Sequence, residues 1–506
     1  MGADTPGITL TPGPFFVGAL LGPGLAVLAT YIPARRAGRV EPLEGLTSGG
    51  APGEERGPRR PRAAYGGLML TSVATAAAVA MTAGALPLDL APLLFALVVT
   101  GAVLSMPLVV GPLSRTWARM LSPLLGNGGT LAFRQLDRHR TRTSLTVGVL
   151  FVALVVAISM GSSLLNNVRD TVDWYERTVV GDFFVRGSLP ATGTSEATSM
   201  PEGLLNEIRA LPGTERVDEL RFLPGTVAGM QVTVLTRTFS PTRSLPLDVV
   251  DGDGPAVLSR LLRGEVVVGS VLARTAGLAV GDQVTVQTRD GPRAYRVAGT
   301  VTEYTSGGMA VYMEWHTAKR AFGFNGADVF LVQAAEGRTA ELGAALEALA
   351  SRDGLMIQTM AEFRDFVSGL LDSVIGFLWM LMGVIFVVAS LGVVNTLTVN
   401  VLEQTRELGL LRAVAMTRRQ VRRVILYQAL GLGVVSLVPG LLVGVGVAFL
   451  LNRGTAATLG TAVDFRISSG LLVGSFVATL VITQVAAYLP ARRAARLEIV
   501  RALQYE

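Results

Sequence analysis

Residues 370–423 read LLDSVIGFLWMLMGVIFVVASLGVVNTLTVNVLEQTRELGLLRAVAMTRRQVRR. After Asp372 no ionisable side chain occurs until Glu403, and then Arg406, Arg412, Arg418, Arg419, Arg422 and Arg423 follow in quick succession. A helix rises 1.5 Å per residue, so about 20 apolar residues cross the roughly 30 Å hydrocarbon layer. The stretch therefore reads as a membrane helix with an arginine-rich flank, and short flanks of that kind stay cytoplasmic.

The rest of the chain follows the same pattern. Half of its 506 residues are apolar and 16% are charged, a balance that points to membrane insertion. Six further apolar runs, at about 14–32, 66–86, 90–112, 144–166, 425–451 and 469–489, join 370–400 to make seven expected spans. Pro107 and Pro112 interrupt the third and Pro439-Gly440 the sixth, which membrane helices tolerate when neighbours satisfy the freed carbonyls. Asp372 apart, no span holds an ionisable group, which argues against a proton- or ion-coupled carrier. Asn395, Thr396, Thr398 and Asn400 form the most polar intramembrane cluster and suit interhelical hydrogen bonding.

Arginine orients the spans. All but one of the 44 basic residues are arginine, Lys319 being the exception, and they cluster beside apolar runs instead of lining one soluble face, so no nucleic-acid groove is expected. Clusters at Arg35 to Arg62, Arg115 to Arg142, Arg406 to Arg423 and Arg492 to Arg501 belong inside. The turn near Asp89, the segment 167–369 and the loop around Asp464 then lie outside, with the amino terminus out and the carboxyl terminus in. Residues 1–13 lack the features of a signal peptide, so the chain is expected to start partway through a longer protein.

A repeat closes two of the spans. Tyr31 to Leu46 and Tyr488 to Leu503 agree at nine of sixteen positions, sharing a Pro-Ala-Arg-Arg-Ala core that places Arg35 and Arg36, and Arg492 and Arg493, at the headgroups. Between the fourth and fifth spans the composition turns to a soluble α+β pattern. Strands are expected at 183–185, 265–268, 283–287, 294–301, 310–313 and 329–333, with helices at 201–211 and 270–276. Asp248, Asp251 and Asp253 lack the closing glutamate of a calcium loop and read as a polar turn. Trp174 and Tyr175 suit either an interfacial belt or a cap on the external core. With no cysteine and two histidines, no metal site is expected, and Lys319 lacks the glycine-rich turn of a nucleotide-binding loop, so no ATP site, catalytic group or cofactor is expected.

The segment Glu403 to Gln420 reads as an amphipathic helix, with Leu408, Leu411 and Ala415 on one face. Its core, Glu407-Leu408-Gly409-Leu410-Leu411-Arg412-Ala413, resembles the coupling-helix signature of the FtsX-like permease family. The Pro-Ala-Arg-Arg-Ala element resembles that family too, and the run from Gly264 through Asp282, with Val297 to Val301 and Val311 to Met313, is similar to the MacB-type periplasmic core domain. The resemblance implies a polytopic α-helical membrane protein of about seven transmembrane helices with one extracytoplasmic MacB-like α+β domain. It divides the chain into 1–47, the end of a truncated first module; 48–130, a linker with two helices; 131–168, the first helix of a second module; 169–368, the external domain; and 369–506, three helices with the coupling helix 403–420.

The resemblance further implies the permease subunit of an ABC transporter in the plasma membrane. ATP would be hydrolysed by a separate ATPase subunit docked at Glu403, Glu407, Gly409 and Arg412, the chain not being an enzyme itself, and a second permease would complete a homo- or heterodimer in contact with lipid. Its expected work is mechanotransmission for export or extraction of a lipophilic or peptide-like substrate. The alternative is a non-transporting regulator of an external partner such as a cell-wall hydrolase.

Overall fold

A backbone in lipid has no water to bond, so an apolar run of this length closes its own hydrogen bonds as a helix. The computed structural model describes residues 62–138, 140–178, 180–187, 200–239, 245–304, 306–405, 416–456 and 463–496, with single positions elsewhere such as Phe16, Tyr31, Arg35, Gly409, Leu410 and Arg412. Residues 1–62 with 498–506 form one unit and 63–497 another. Most of the first expected span, 14–32, lies outside the described residues; the positions seen there are helical.

Three long helices open the second unit: α1 (Arg62–Thr82), α2 (Ala91–Arg138) and α3 (Arg140–Thr178). The external domain follows as β1 (Phe183–Gly187), α4 (Glu202–Ala210), β2 (Thr214–Val227), β3 (Met230–Arg237), β4 (Asp248–Asp251), α5 (Gly254–Leu262), β5 (Val266–Gly269) and α6 (Ser270–Ala276). It continues through β6 (Gln283–Thr288), β7 (Gly291–Thr302), β8 (Ala310–Glu314), α7 (Trp315–Phe322), β9 (Val329–Ala334), α8 (Thr339–Asp353) and β10 (Leu355–Thr359). The chain then re-enters the bundle as α9 (Met360–Glu403), α10 (Arg418–Gly454) and α11 (Ser469–Ala495). Among the described residues six helices are long and apolar enough to cross a membrane. Helix α2 runs straight through Pro107 and Pro112 and breaks only at Gly126, whose φ is 62°.

Small residues set the spacing in the bundle, since apolar surface gains little by leaving lipid and helices associate through close packing. A Cβ on Gly440 or Gly444 of α10 would lie 3.0 Å from Leu154 or Ile158 of α3, so the two helices run parallel in one register. Helices α1 and α2 cross closer still: a Cβ on Gly101 would meet the Thr71 amide nitrogen at 2.7 Å and the Gly67 carbonyl at 2.9 Å. Thr146 and Thr396 join α3 to α9 through their hydroxyls at 2.5 Å.

The strands form one mixed sheet in the order β10-β1-β9-β2-β3-β8-β5-β7-β4, with β6 paired to β7 and touching β2. Period-two alternation gives it two faces. Val185, Val234, Val332 and Met313 bury against α4, α7 and α8 through Ile208, Ala318 and Leu342. On the opposite face Leu235, Val267 and Tyr312 meet Leu258 and Leu261 of α5.

Gly101→Val should lower the thermal midpoint of the detergent-solubilised chain by the cost of overpacking a backbone crossing, about 1–3 kcal/mol. Gly446→Val is the control, because nothing lies within 4 Å of its Cβ position. Equal midpoints for the two variants would contradict the α1–α2 crossing.

Candidate functional site

The membrane bundle meets the external domain through two struts. Helix α9 begins at the residue after β10, capped by Thr359: Glu362 N–H donates to the Thr359 hydroxyl at 3.1 Å, and Thr359 N–H donates to the Glu362 carboxylate at 2.9 Å. With 44 residues it extends about 66 Å without a loop, from the sheet edge to Glu403. Helix α3 ends at Thr178, shortly before β1, and β1 pairs with β10 along the same sheet edge. Met360 N–H donates to the Asp182 carbonyl at 2.9 Å, tying the two struts where they enter the sheet.

The outer end of α3 is locked to the domain by polar contacts. Trp174 Nε1 donates to the Thr302 carbonyl at 2.9 Å, Arg177 Nη1 to Asp248 Oδ1 at 3.1 Å, and the Tyr304 hydroxyl to the Asp170 carboxylate. Burial, then the bond to Asp170, pushes the Tyr304 hydroxyl above the ordinary tyrosine range. Trp174 is therefore buried under the sheet and is no part of a lipid-facing belt. Deeper, Arg237 Nη1 donates to the Thr178 carbonyl at 2.9 Å and Nη2 to Asp218 Oδ2 at 3.1 Å, while Arg216 donates to both carboxylate oxygens of Asp218. Burial pulls the Arg237 guanidinium down to about 10.

Aromatic rings fill the corner beside this triad. Phe363 of α9 lies 4.7 Å from Phe184 of β1 and 5.6 Å from Tyr175, and Tyr175 lies 4.9 Å from Trp174. They border a cavity of about 360 Å³ roofed by the sheet and floored by the outer ends of α3 and α9.

At the arginine-rich end Glu403 is the last residue of α9. Gly409 is helical and buried, Arg412 is helical and half-buried, and Glu407 lies outside the described residues. Val401 of α9, Val421 and Ile425 of α10, and Ala491 and Ala494 of α11 pack together there. Arg492 and Arg493 project from that corner as exposed side chains. Arg35 is helical and exposed in the other unit, and Arg36 is not among the described residues. Of the three aspartates weighed as a calcium loop, Asp248 and Asp251 lie in β4 and Asp253 caps α5. Sequence reasoning missed the Arg216–Asp218–Arg237 triad and the cavity; the one available signal was the alternation Arg216, Asp218, Leu220, Phe222, which puts charge and bulk on one strand face.

Long struts rising from an apolar bundle to one mixed α+β domain define a polytopic membrane protein built to hold that domain at the membrane surface. Residues 379–499 match the FtsX-like permease C-terminal family and residues 143–349 the MacB-like periplasmic core domain. The chain belongs to the FtsX-like/MacB-like ABC transporter permease family. It is 24% identical over 420 residues to the uncharacterized ABC transporter permease protein Rv0987 of Mycobacterium tuberculosis, covering 80% of this chain and 48% of that protein. It is 34% identical over 120 residues to the macrolide export ATP-binding/permease protein MacB of Bordetella avium, covering 24% of this chain and 18% of that one. The periplasmic region of MacB from Actinobacillus actinomycetemcomitans overlays 39% of this chain and 95% of its own length at 14% identity, with a TM-score of 0.29. The chain thus spans about half the length of Rv0987 and less than a fifth of Bordetella avium MacB.

Asp218 carries the charge balance of the junction, its side chain 6% exposed between two guanidiniums. Asp218→Ala leaves the buried Arg237 guanidinium without its carboxylate and should cost about 3–5 kcal/mol in thermal unfolding of the whole chain. Arg352→Ala, which removes an exposed pairing with Glu207 and Asp353, should leave the midpoint near that of the parent.

Proposed function

We propose that the chain is the permease subunit of an ABC transporter that passes the work of a separate ATPase to its external domain by moving helices, for export or extraction of a lipophilic or peptide-like substrate. One observation carries the reading: a single uninterrupted helix joins edge strand β10 to Glu403, so displacement at one end is felt at the other. A helix transmits axial displacement well because every backbone bond lies within the segment. The relatives are ABC transporter permeases, and the Bordetella avium relative is named as joining an ATP-binding part to its permease.

In this reading the arginine-rich end is cytoplasmic and the chain sits in the plasma membrane with residues 169–368 outside. The ATPase docks on Glu403, Glu407, Gly409 and Arg412: the charged groups pair with complementary charges and Gly409 admits a close backbone approach. A second permease completes the assembly along α9, whose Val384, Val387, Val388 and Leu391 are exposed.

Two experiments test this. When the chain is co-expressed with its ATPase, Glu403→Ala and Arg412→Ala together should reduce recovery of the complex several-fold, and undiminished recovery would reject the docking surface. The chain has no cysteine, so Val250→Cys and Arg419→Cys report the two sides of the membrane directly. A membrane-impermeant maleimide should label the first in intact cells and the second only after lysis. Labelling of both in intact cells would overturn the orientation.

A further inference from the structure

The face of the sheet turned toward the membrane is built for more than contact with the struts. Cross-strand pairs place Phe184 beside Leu331, Arg186 beside Val329, Val329 beside Leu220 and Leu220 beside Arg237, all on that face. Where α5 does not cover it, this face roofs the cavity of about 360 Å³ that Trp174, Tyr175 and Phe363 close from below. The volume falls within the range of small-molecule sites, and its lining has their usual character, apolar walls with a few converging polar groups.

Those polar groups are incompletely satisfied. Thr178 Oγ1, Arg186 Nε and Arg237 Nε are shut off from solvent and have no hydrogen-bond partner in the protein, although Thr178 and Arg237 are only 6% and 4% exposed. Buried donors are ordinarily bonded, and leaving one orphaned is costly. Charge points the same way. Two guanidiniums, those of Arg186 and Arg237, line the cavity, and Asp218, which bonds Arg237, is shared with Arg216. An anion drawn into the cavity would meet these two guanidiniums and no carboxylate among the residues that line it. The apolar walls would hold a hydrocarbon chain.

We infer that this junctional cavity binds a single-chain amphiphile with an anionic head, a long-chain carboxylate, with the head at Arg186 and Arg237 and the chain between Leu220, Leu331 and Phe363. The inference goes beyond the motor-coupled reading and does not depend on it, because the site lies within this chain. Its position is mechanically sensitive all the same. The floor belongs to the struts and the roof to the sheet, so an occupant would wedge between the parts that the proposed function sets in relative motion.

The test uses the whole chain in phosphatidylcholine nanodiscs without any ATPase. Binding of dansylaminoundecanoate, a fluorescent single-chain carboxylate, is followed by its emission, with empty nanodiscs defining simple partitioning. A saturable component should appear with the chain, and the neutral methyl ester should bind about tenfold more weakly, as should the acid to Arg186→Gln, for the loss of one charge-assisted hydrogen bond. Leu220→Trp, which fills the cavity, should abolish the saturable component while Arg186 remains in place. Acid and ester binding alike, an unchanged affinity in Arg186→Gln, or no saturable component above empty nanodiscs would each overturn the inference. A chain that binds the carboxylate yet recruits no ATPase would uphold it and remove the motor-coupled role.

Discussion

The Thr178 carbonyl, at the last turn of α3, accepts a hydrogen bond from a guanidinium that the middle of the sheet supplies. Without this contact and those beside it the external domain would hang from two covalent links at one sheet edge, and its angle to the membrane would be free. Arg237 holds the sheet centre against the strut end, Asp218 and Arg216 hold Arg237, and Trp174, Arg177 and Asp170 repeat the attachment along the last two turns of α3. Six side chains thereby make domain and strut one body. The buried ions are a costly way to gain stability, since desolvation offsets much of their attraction, yet only one arrangement satisfies them, and that specifies the angle.

The two struts are not equivalent. In the most apolar window of α3 67% of residues are buried, in that of α10 50%, and in that of α9 17%. Helix α3 is keyed to α10 by Gly440 and Gly444, where any sliding would drive Leu154 and Ile158 into the opposing backbone. Helix α9 presents most of its surface outward; it meets α3 inside the membrane through the apolar core around Phe386, Ala389 and Val393 and through the hydroxyl pair of Thr146 and Thr396. A displacement applied at Glu403 therefore meets less resistance along α9 than one applied to α3. In the proposed coupling its outer end would pull on β10 and, through the β10–β1 ladder, on the edge of the sheet whose centre Arg237 anchors. An anchored strut beside a looser one converts axial motion into rotation of whatever both support.

The sequence made the bundle legible because lipid enforces helices and arginine marks their ends. Much of the external domain was legible for the same kind of reason: β5 and β8 are buried on both sides and so read as unbroken apolar runs. Strand β2 was hidden. Glu215, Arg216, Asp218, Glu219 and Arg221 give it the composition of a loop, and Pro224 and Gly225 break what pattern is left. Its hairpin turns through Ala228 and Gly229, both at positive φ, and alanine is a poor advertisement for that geometry. Helix α2 is longer than the apolar run 90–112 because hydropathy marks the part of a helix that lies in lipid and not where the helix itself ends. At the docking end, the charged and glycine positions came from family likeness and not from spacing, and no local rule distinguishes them from any amphipathic helix at a headgroup layer.

The charges that concealed β2 are the same ones that build the junction. A strand buried on one face and polar on the other normally shows its polar face to water. In β2 that face looks toward the membrane helices, so Arg216 and Asp218 had to be paired within the protein, and Leu220 and Phe222 continue the face as apolar wall. A sheet resting directly on a helical bundle would be expected to close this contact with side chains of matching shape and leave no gap. Here the apolar wall with Arg186 and Arg237 surrounds an opening instead, and the large rings that could fill it, Trp174, Tyr175 and Phe363, meet edge to face at its margin. Close packing is thus given up beside the outer end of α9, the less tightly held strut, and a contact that is not fully packed is one that can change shape without first breaking a core.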